Sequence, residues 1–417
     1  MAAKDLIWFL SEFVFYYPLV MSIVWIVGAF YFYLRREAGR RRRPPVLAEY
    51  PLVSVLIPAH NEEQSIRATI ASVLKSNYPN FEIVVVDDGS TDATPRILLE
   101  LAAECPAVRV LIMKQNMGKP SALRYGLMAC RGEIILAMDA DAFLDANAMR
   151  WLVAHFVAGP RVGAVTGNPR VRNRTSLIAK IQVGEYSSII GMIKRTQRIL
   201  GKVLTVSGVI AAFRKRALLD VGLWDIDMIT DDINVTWKLE KHFWDVRYEP
   251  NALCWILVPE TLKGLWRQRV RWAQGGVEVI RRHAGIWTDW RQRRLWPVYI
   301  EYVISVCWSY AFVSFGGLWL LNFIFPHDLP VAKIFPEWKG AVLVSLCLVQ
   351  SAIALWIDRR YEKNILWYYF WVIWYPFVYW VISALATVWA APRALFGHSK
   401  GKLAVWQSPD RGLFEKL

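Results

Sequence analysis

The 417-residue chain is poor in the residues that build several common kinds of protein. It has only five cysteines (Cys105, Cys130, Cys254, Cys307, Cys347), and no two of them form a CxxC pair. That excludes a disulfide-stapled secreted scaffold and fits a reduced cytosolic domain. Its six histidines are scattered, with no HxxxH or HxxEH spacing, which argues against a histidine-based zinc centre. There is no internal repeat, and no low-complexity tract beyond one arginine run. No small-residue cleavage site follows the first apolar stretch, so that stretch is expected to remain as an anchor rather than to be removed as a signal peptide. Despite a net charge of +15, no nucleic-acid-binding module is readable.

What is abundant is apolar and aromatic. Hydrophobic residues make up 55% of the chain, with 22 Trp, 17 Tyr and 19 Phe crowding its two ends. Residues 13–34 carry no charge. As a helix rising ~1.5 Å per residue they would cross a hydrocarbon core of ~30 Å. A basic run follows at once: Arg35, Arg36, Arg40, Arg41, Arg42 and Arg43. A second basic cluster extends from Arg267 to Arg294. Such clusters beside apolar spans belong at a cytoplasmic membrane surface, which sets the domain after the anchor inside. Further spans are expected near 298–321, 339–357 and 366–390, with Pro376 kinking the last. Four simple spans would put the C-terminus outside, whereas the basic tail (Arg393, Lys400, Lys402) favours the inside; the sequence leaves that conflict standing.

Between the ends the pattern is that of an α/β domain. Short β-branched runs at 52–57, 82–86, 108–113, 133–138 and 162–166 alternate with helix-like stretches at 62–76, 92–104, 118–130 and 145–158. This alternation predicts a largely parallel, doubly wound sheet, whose ligands bind beyond the carboxyl ends of the strands. The expected division is an anchor and linker over 1–45, an α/β domain over 46–255, interfacial helices over 256–296, membrane helices over 297–392 and a tail over 393–417.

The polar motifs fall at those strand ends. The first strand runs into Pro58-Ala59-His60-Asn61-Glu62-Glu63 and the second into Asp87-Asp88-Gly89-Ser90-Thr91-Asp92. Each reads either as a capped turn or as a place for a base and ribose. The fourth ends in Asp139-Ala140-Asp141, two carboxylates whose crowding calls for a cation; hard oxygen ligands suit Mg²⁺ or Mn²⁺. Later come Thr230-Asp231-Asp232 and Gln268-Arg269-Val270-Arg271-Trp272. An acid there can serve as general base, an arginine can offset charge on a leaving diphosphate, and an indole can stack on a sugar. Residues 262–283 also read as a basic amphipathic helix resting on a membrane.

The order of these motifs resembles glycosyltransferase family 2, and residues 51–280 resemble its processive members, the cellulose, hyaluronan and chitin synthases. The runs 162–173, 180–198, 204–214, 254–276 and 406–412 look most like the bacterial branch that polymerises N-acetylglucosamine through β-1,6 linkages. The resemblance implies a cytosolic GT-A domain, Rossmann-like and mostly parallel in its sheet, with flanking transmembrane helices. It implies Pro58, His60 and Glu62 lining a uridine pocket, Asp88 on the nucleotide, and Asn116, Gly118 and Lys119 in a loop over uridine and phosphates. Asp139 and Asp141 become the DxD, Asp141 the direct metal ligand and Asp139 also on the donor. Asp232 becomes the base, beside Asp231 where the family has Glu. Gln268, Arg271 and Trp272 match QxxRW, and Ser207 and Gly208 an acceptor-facing turn. UDP-N-acetylglucosamine is then the donor and a growing polysaccharide the acceptor. Membrane lipids are partners, and a small membrane subunit with cyclic-di-GMP control is implied, but no nucleic acid. The location implied is a bacterial inner membrane. Rival expectations are another β-polysaccharide, a single-sugar transferase acting on a lipid carrier, and a non-catalytic scaffold on the same fold.

Overall fold

The computed structural model describes residues 2–39, 43–325, 337–397 and 403–404. Arg40, Arg41 and Arg42, the tail lysines Lys400 and Lys402, and the 406–412 run lie outside the described residues. In chain order the elements are α1 (Ala2–Phe32), β1 (Val53–Ala59), α2 (Ile66–Leu74), β2 (Phe81–Asp87), α3 (Thr94–Glu104), β3 (Val108–Ile112) and α4 (Lys119–Ala129). Next are β4 (Ile134–Met138), β5 (Phe143–Leu144), α5 (Ala148–Val157), β6 (Val162–Val171), α6 (Leu177–Glu185) and α7 (Met192–Leu200). Then follow β7 (Ile210–Arg214), α8 (Lys215–Asp220), α9 (Asp231–Lys241), β8 (Asp245–Ile256) and α10 (Leu262–Arg282). The last helices are α11 (Trp296–Ile324), α12 (Glu337–Asp358), α13 (Tyr369–Val372) and α14 (Tyr375–Phe396). The chain divides into two units: one of residues 39–175, 201–264 and 398–417, the other of 1–38, 176–200 and 265–397.

The first unit is an α/β domain, from which residues 176–200, inside the expected 46–255 range, are set apart in the helical unit. Its eight strands lie in the order β3-β2-β1-β4-β7-β6-β8-β5. The first four are mutually parallel, with Val53 to Ala59 in register with Phe81 to Asp87 and Val53 to Leu56 with Ile134 to Ala137. All seven residues of β1 and all five of β4 are buried, as strands covered on both faces must be. The rest of the sheet is mixed: β7 runs antiparallel to β4 and β6, and β5 to β8. The β-branched runs indicate the four parallel strands and β6, and miss β5, β7 and β8. Below the sheet, Leu56, Val84, Leu123, Leu127, Phe213, Trp224 and Leu239 form one core. It fixes α4 and α9, and hence the residues that open them.

The second unit is helical. Four helices, Asp5–Glu37, Trp296–Ile324, Trp338–Asp358 and Val378–Phe396, are long and apolar enough to cross a membrane. They make this a membrane protein. Three agree with the expected spans, but the fourth begins later. Ile365–Val372 is a short 3₁₀ and α segment, and Pro376 stands in the first turn of α14, where its missing N–H costs nothing, so it opens a helix rather than kinking one. The unit also buries charge. Arg195 of α7 bonds Glu37 at 2.7 Å and Asp358 at 2.9 Å, and Tyr361 donates to Glu37 at 2.7 Å. A second pair joins Arg269 of α10 to Glu185 of α6.

Candidate active site

Two clusters of the expected residues sit at the carboxyl edge of the parallel strands. In the first, β1 and β2 end side by side and their turns lock together. The His60 ring bonds the Asp88 carbonyl through Nδ1 at 2.8 Å, and its Nε2 faces Asn116 at 3.1 Å. Asn61 adopts a left-handed φ of 55°, and its carboxamide oxygen accepts from the Thr91 amide at 2.8 Å. Gly89 has φ +63°, and a Cβ there would lie 2.5 Å from the Gln115 backbone carbon. Only glycine lets that turn and the 115–118 loop approach so closely. Pro58 stands in β1 opposite Val86 of β2. Glu62 is buried and turned inward: its amide donates to Thr94 Oγ1 at 2.7 Å, and its carboxylate accepts from Ser65 at 2.7 Å.

Asp88 is also busy with its own backbone. Its two carboxylate oxygens accept from the Met117 and Gly118 amides, each at 2.8 Å, at the mouth of α4. Its neighbour Asp87 is equally buried, yet among the described residues Oδ1 has no hydrogen-bond partner, while Oδ2 accepts from the Ser90 amide at 3.3 Å. Burial pushes both carboxyls above their usual range. The sequence reading had singled out Asp88 alone. The order of the acidic pair gave no sign of the difference, since both follow the same strand.

The second cluster gathers on Lys119. Lys119, the first residue of α4, places Nζ 2.5 Å from Asp139 Oδ1 and 3.2 Å from the Gly208 carbonyl. Asp231 and Asp232 open α9 and line the same small pocket with Lys119 and Gly208. Gly208 is tight against them: a Cβ would lie 3.2 Å from Asp232 Oδ2 and 3.4 Å from Lys119 Nζ. Helix α9 also holds the chain that leads to this glycine. Thr236 accepts from the Val206 amide at 2.9 Å, Trp237 donates to the Leu204 carbonyl at 3.1 Å, and Glu240 accepts from the Val203 amide at 3.0 Å. Ser207 is held from the sheet side, donating its amide to Thr166 at 2.7 Å.

The electrostatics are lopsided. Burial opposes the Lys119 charge, but Asp139, Asp231 and Asp232 around it win and raise its pKa. Burial drives Asp231 up to about 6, with Lys119 pulling down and Asp232 pushing up. Asp139 and Asp141 are half-buried in a turn whose alternate residues Ala140 and Ala142 are buried, and Thr69 donates to the Ala140 carbonyl at 2.8 Å. Both aspartates sit close enough to Cys254 that, after burial, they are the next causes holding its thiol un-ionised. Among the described residues no three His, Cys, Asp or Glu side chains form a closed metal cage. Two carboxylates with the rest of the shell left open is the donor set of a Mg²⁺- or Mn²⁺-type ion that draws its other ligands from substrate phosphates and water. The residues fit such an ion.

Gln268, Arg271 and Trp272 belong to the helical unit, on α10. Arg271 is exposed, Trp272 is half-buried, and Gln268 Oε1 is buried without a hydrogen-bond partner among the described residues. Arg269, which falls in a variable position of QxxRW, lies over the Trp272 ring at 4.5 Å.

Comparison with known proteins places these features. The sequence profile described as glycosyltransferase like family 2 matches residues 51–275. A Staphylococcus epidermidis protein named poly-beta-1,6-N-acetyl-D-glucosamine synthase is 39% identical over 410 residues, 97% of this chain and 99% of that protein. A Staphylococcus aureus protein of the same name is 40% identical over 409 residues, 96% of this chain and 98% of that one. Among solved structures, a mannosyltransferase from Pyrobaculum calidifontis in complex with GDP-Man and Mn2+ superposes with a TM-score of 0.62. It is 21% identical and covers 92% of this chain and 99% of its own, a likeness of fold.

Proposed function

We infer the function from one premise: this chain belongs to the glycosyltransferase like family 2. It is a processive membrane glycosyltransferase of the GT-A fold that polymerises N-acetylglucosamine from UDP-N-acetylglucosamine into poly-β-1,6-N-acetylglucosamine, the polymer for which its relatives are named. One observation carries the chemistry. Asp139, Asp231 and Asp232 gather on the single ammonium of Lys119, and that surplus of negative charge suits a cation and a cationic-proton partner rather than a structural ion pair.

In the mechanism, Asp139 and Asp141 would hold the divalent ion, which when bound would supply positive charge against the donor diphosphate. His60 and Asn116, which bond one another, are the groups proposed to face the uridine, with Asp88 shaping the loop that covers it. Lys119 steadies the phosphates. Asp232 takes the proton from the acceptor hydroxyl as that oxygen attacks the anomeric carbon from the face opposite the diphosphate. Its Oδ1 accepts from the Ile233 amide at 2.9 Å, leaving Oδ2 directed at Gly208 and free for the hydroxyl. A single displacement inverts the α-linked donor to a β-linkage. The match to QxxRW supports Arg271 as the residue that offsets charge on a leaving diphosphate and Trp272 as a stacking surface for an acceptor sugar. The catalytic unit faces the cytosol of a bacterial inner membrane, and a small membrane subunit with cyclic-di-GMP control completes the system.

Asp232→Asn tests this directly. Polymer synthesis should fall by at least ~10²-fold while UDP binding to the purified protein is unchanged. Wild-type polymerisation by that variant would remove Asp232 from the role of base.

A further inference from the structure

The buried pair of Arg269 and Glu185 stands outside every motif used so far. Its geometry is bidentate: Nη2 donates to Oε2 at 2.7 Å and Nη1 lies 2.7 Å from Oε1. Both side chains are almost fully buried, at 8% and 3% exposure. Such a pair is no more stabilising than two apolar residues of the same size. What a forked ion pair adds is a fixed plane in a fixed orientation. That plane lies over the Trp272 ring, one helical turn further along α10, at 4.5 Å from its centroid. Tyr379 of α14 flanks the same guanidinium at 5.7 Å, and its hydroxyl donates back to the Ile178 carbonyl of α6 at 3.0 Å. Glu185 itself is the last residue of α6, where the chain widens into the π turn Tyr186–Gly191, a feature that recurs at functional positions.

We propose that Glu185, acting through Arg269, is a positioning residue for Trp272: it fixes the indole as a rigid platform for the terminal sugar of the growing polymer. The inference rests on the reading of Trp272 as the acceptor's stacking surface. A platform that rocks still lets the donor bind and be cleaved, but it loses hold of the acceptor between additions.

The test uses the full-length enzyme in detergent micelles with UDP-N-acetylglucosamine and N-acetylglucosamine oligosaccharides as added acceptor. Glu185→Gln keeps the shape and removes the charge. Expected are a rise in acceptor KM of roughly ten- to a hundredfold, a shift of product to short oligomers, and donor hydrolysis and donor KM within about twofold of wild type. Arg269→Lys, which keeps charge but loses the fork, should do the same. Should Glu185→Gln fail to insert, Glu185→Asp is the second variant, with the same expected split. Unchanged product length, or hydrolysis and length falling in step, overturns the proposal. Trp272→Ala separates the two levels. If it leaves product length unaltered, the platform reading itself fails. If it shortens the product while Glu185→Gln does not, only the positioning role fails.

Discussion

The two units handle charge in opposite ways. In the helical unit, cations are matched to carboxylates, Arg195 to Glu37 and Asp358 and Lys339 to Glu12, and only the Arg269–Glu185 pair carries the positioning role argued above. In the α/β unit, Lys119 meets three carboxylates at once, and a buried Asp87 oxygen has no hydrogen-bond partner among the described residues. Charges closed on themselves hold a structure together, because an unpaired ion in an apolar setting is too costly to keep. Charges left in surplus at a strand edge have a ligand as their missing partner. On this view, the same kind of substitution should damage folding in one unit and turnover in the other.

The largest effect is expected at Arg195. Arg195→Met leaves Glu37 and Asp358 buried without their cation, which should cost about 3–5 kcal/mol. Thermal unfolding of the purified protein in micelles would show it as a lower transition temperature. Adding Glu37→Leu and Asp358→Leu to the same chain should recover most of the loss, since the carboxylates are then gone. If Arg195→Met unfolds at the wild-type temperature, the contrast between the units is broken. Lys119→Met should show the opposite profile. Turnover of donor should fall about 10²-fold, since the charge proposed to steady the phosphates is lost, while the unfolding temperature moves less than for Arg195→Met.

Glu82 sharpens the comparison, because it is a closed charge inside the α/β unit. It accepts from Ser54 at 2.7 Å, from the Arg131 amide at 2.6 Å and from the Arg131 and Arg109 side chains at 3.0 and 3.2 Å. Burial alone would raise its pKa, but these donors outweigh it and hold the carboxyl below its usual range. A carboxyl with a lowered folded-state pKa contributes stability that is present above its unfolded value of about 4.3 and is lost as pH falls through the folded value. Glu82→Gln should therefore cost about 2 kcal/mol near pH 7, with little change in turnover. The gap between wild type and variant should close as unfolding is followed below pH ~4. A gap independent of pH would mean the charge is not what matters there.

Much of this contrast was legible in the sequence, though unevenly. The parallel strands and their helices were readable because doubly covered strands are continuous apolar runs, and β1, β2, β3 and β4 fall where those runs lie. The aspartates at their ends followed from that alone. Strand β7 was not readable: Ile-Ala-Ala-Phe-Arg is short and carries small side chains. Nor was β8, which contains Pro250 and Asn251 at a register shift where several of its residues pass opposite Gly167. The last membrane helix was placed too early because Ile365–Val372 is as aromatic and apolar as a span, and hydropathy cannot see the break before Tyr375. The closed charges were least visible. Glu37 and Arg195 stand 158 positions apart, and only the fold makes them neighbours.

The smallest expected effect lies where the open cluster is tightest. Gly208 has no left-handed backbone that would forbid alanine, so Gly208→Ala should fold normally. Its new methyl would sit 3.2 Å from Asp232 Oδ2, closer than carbon and oxygen rest comfortably, and the carboxylate must yield by a few tenths of an ångström. Displacing a base by that much moves it off the line to the acceptor hydroxyl without touching the donor. Turnover should drop about tenfold, with UDP affinity and unfolding temperature at their wild-type values. Loss of UDP affinity in step with turnover would mean that the glycine guards the nucleotide instead. The open cluster would then be one undivided binding site rather than a base set apart from it.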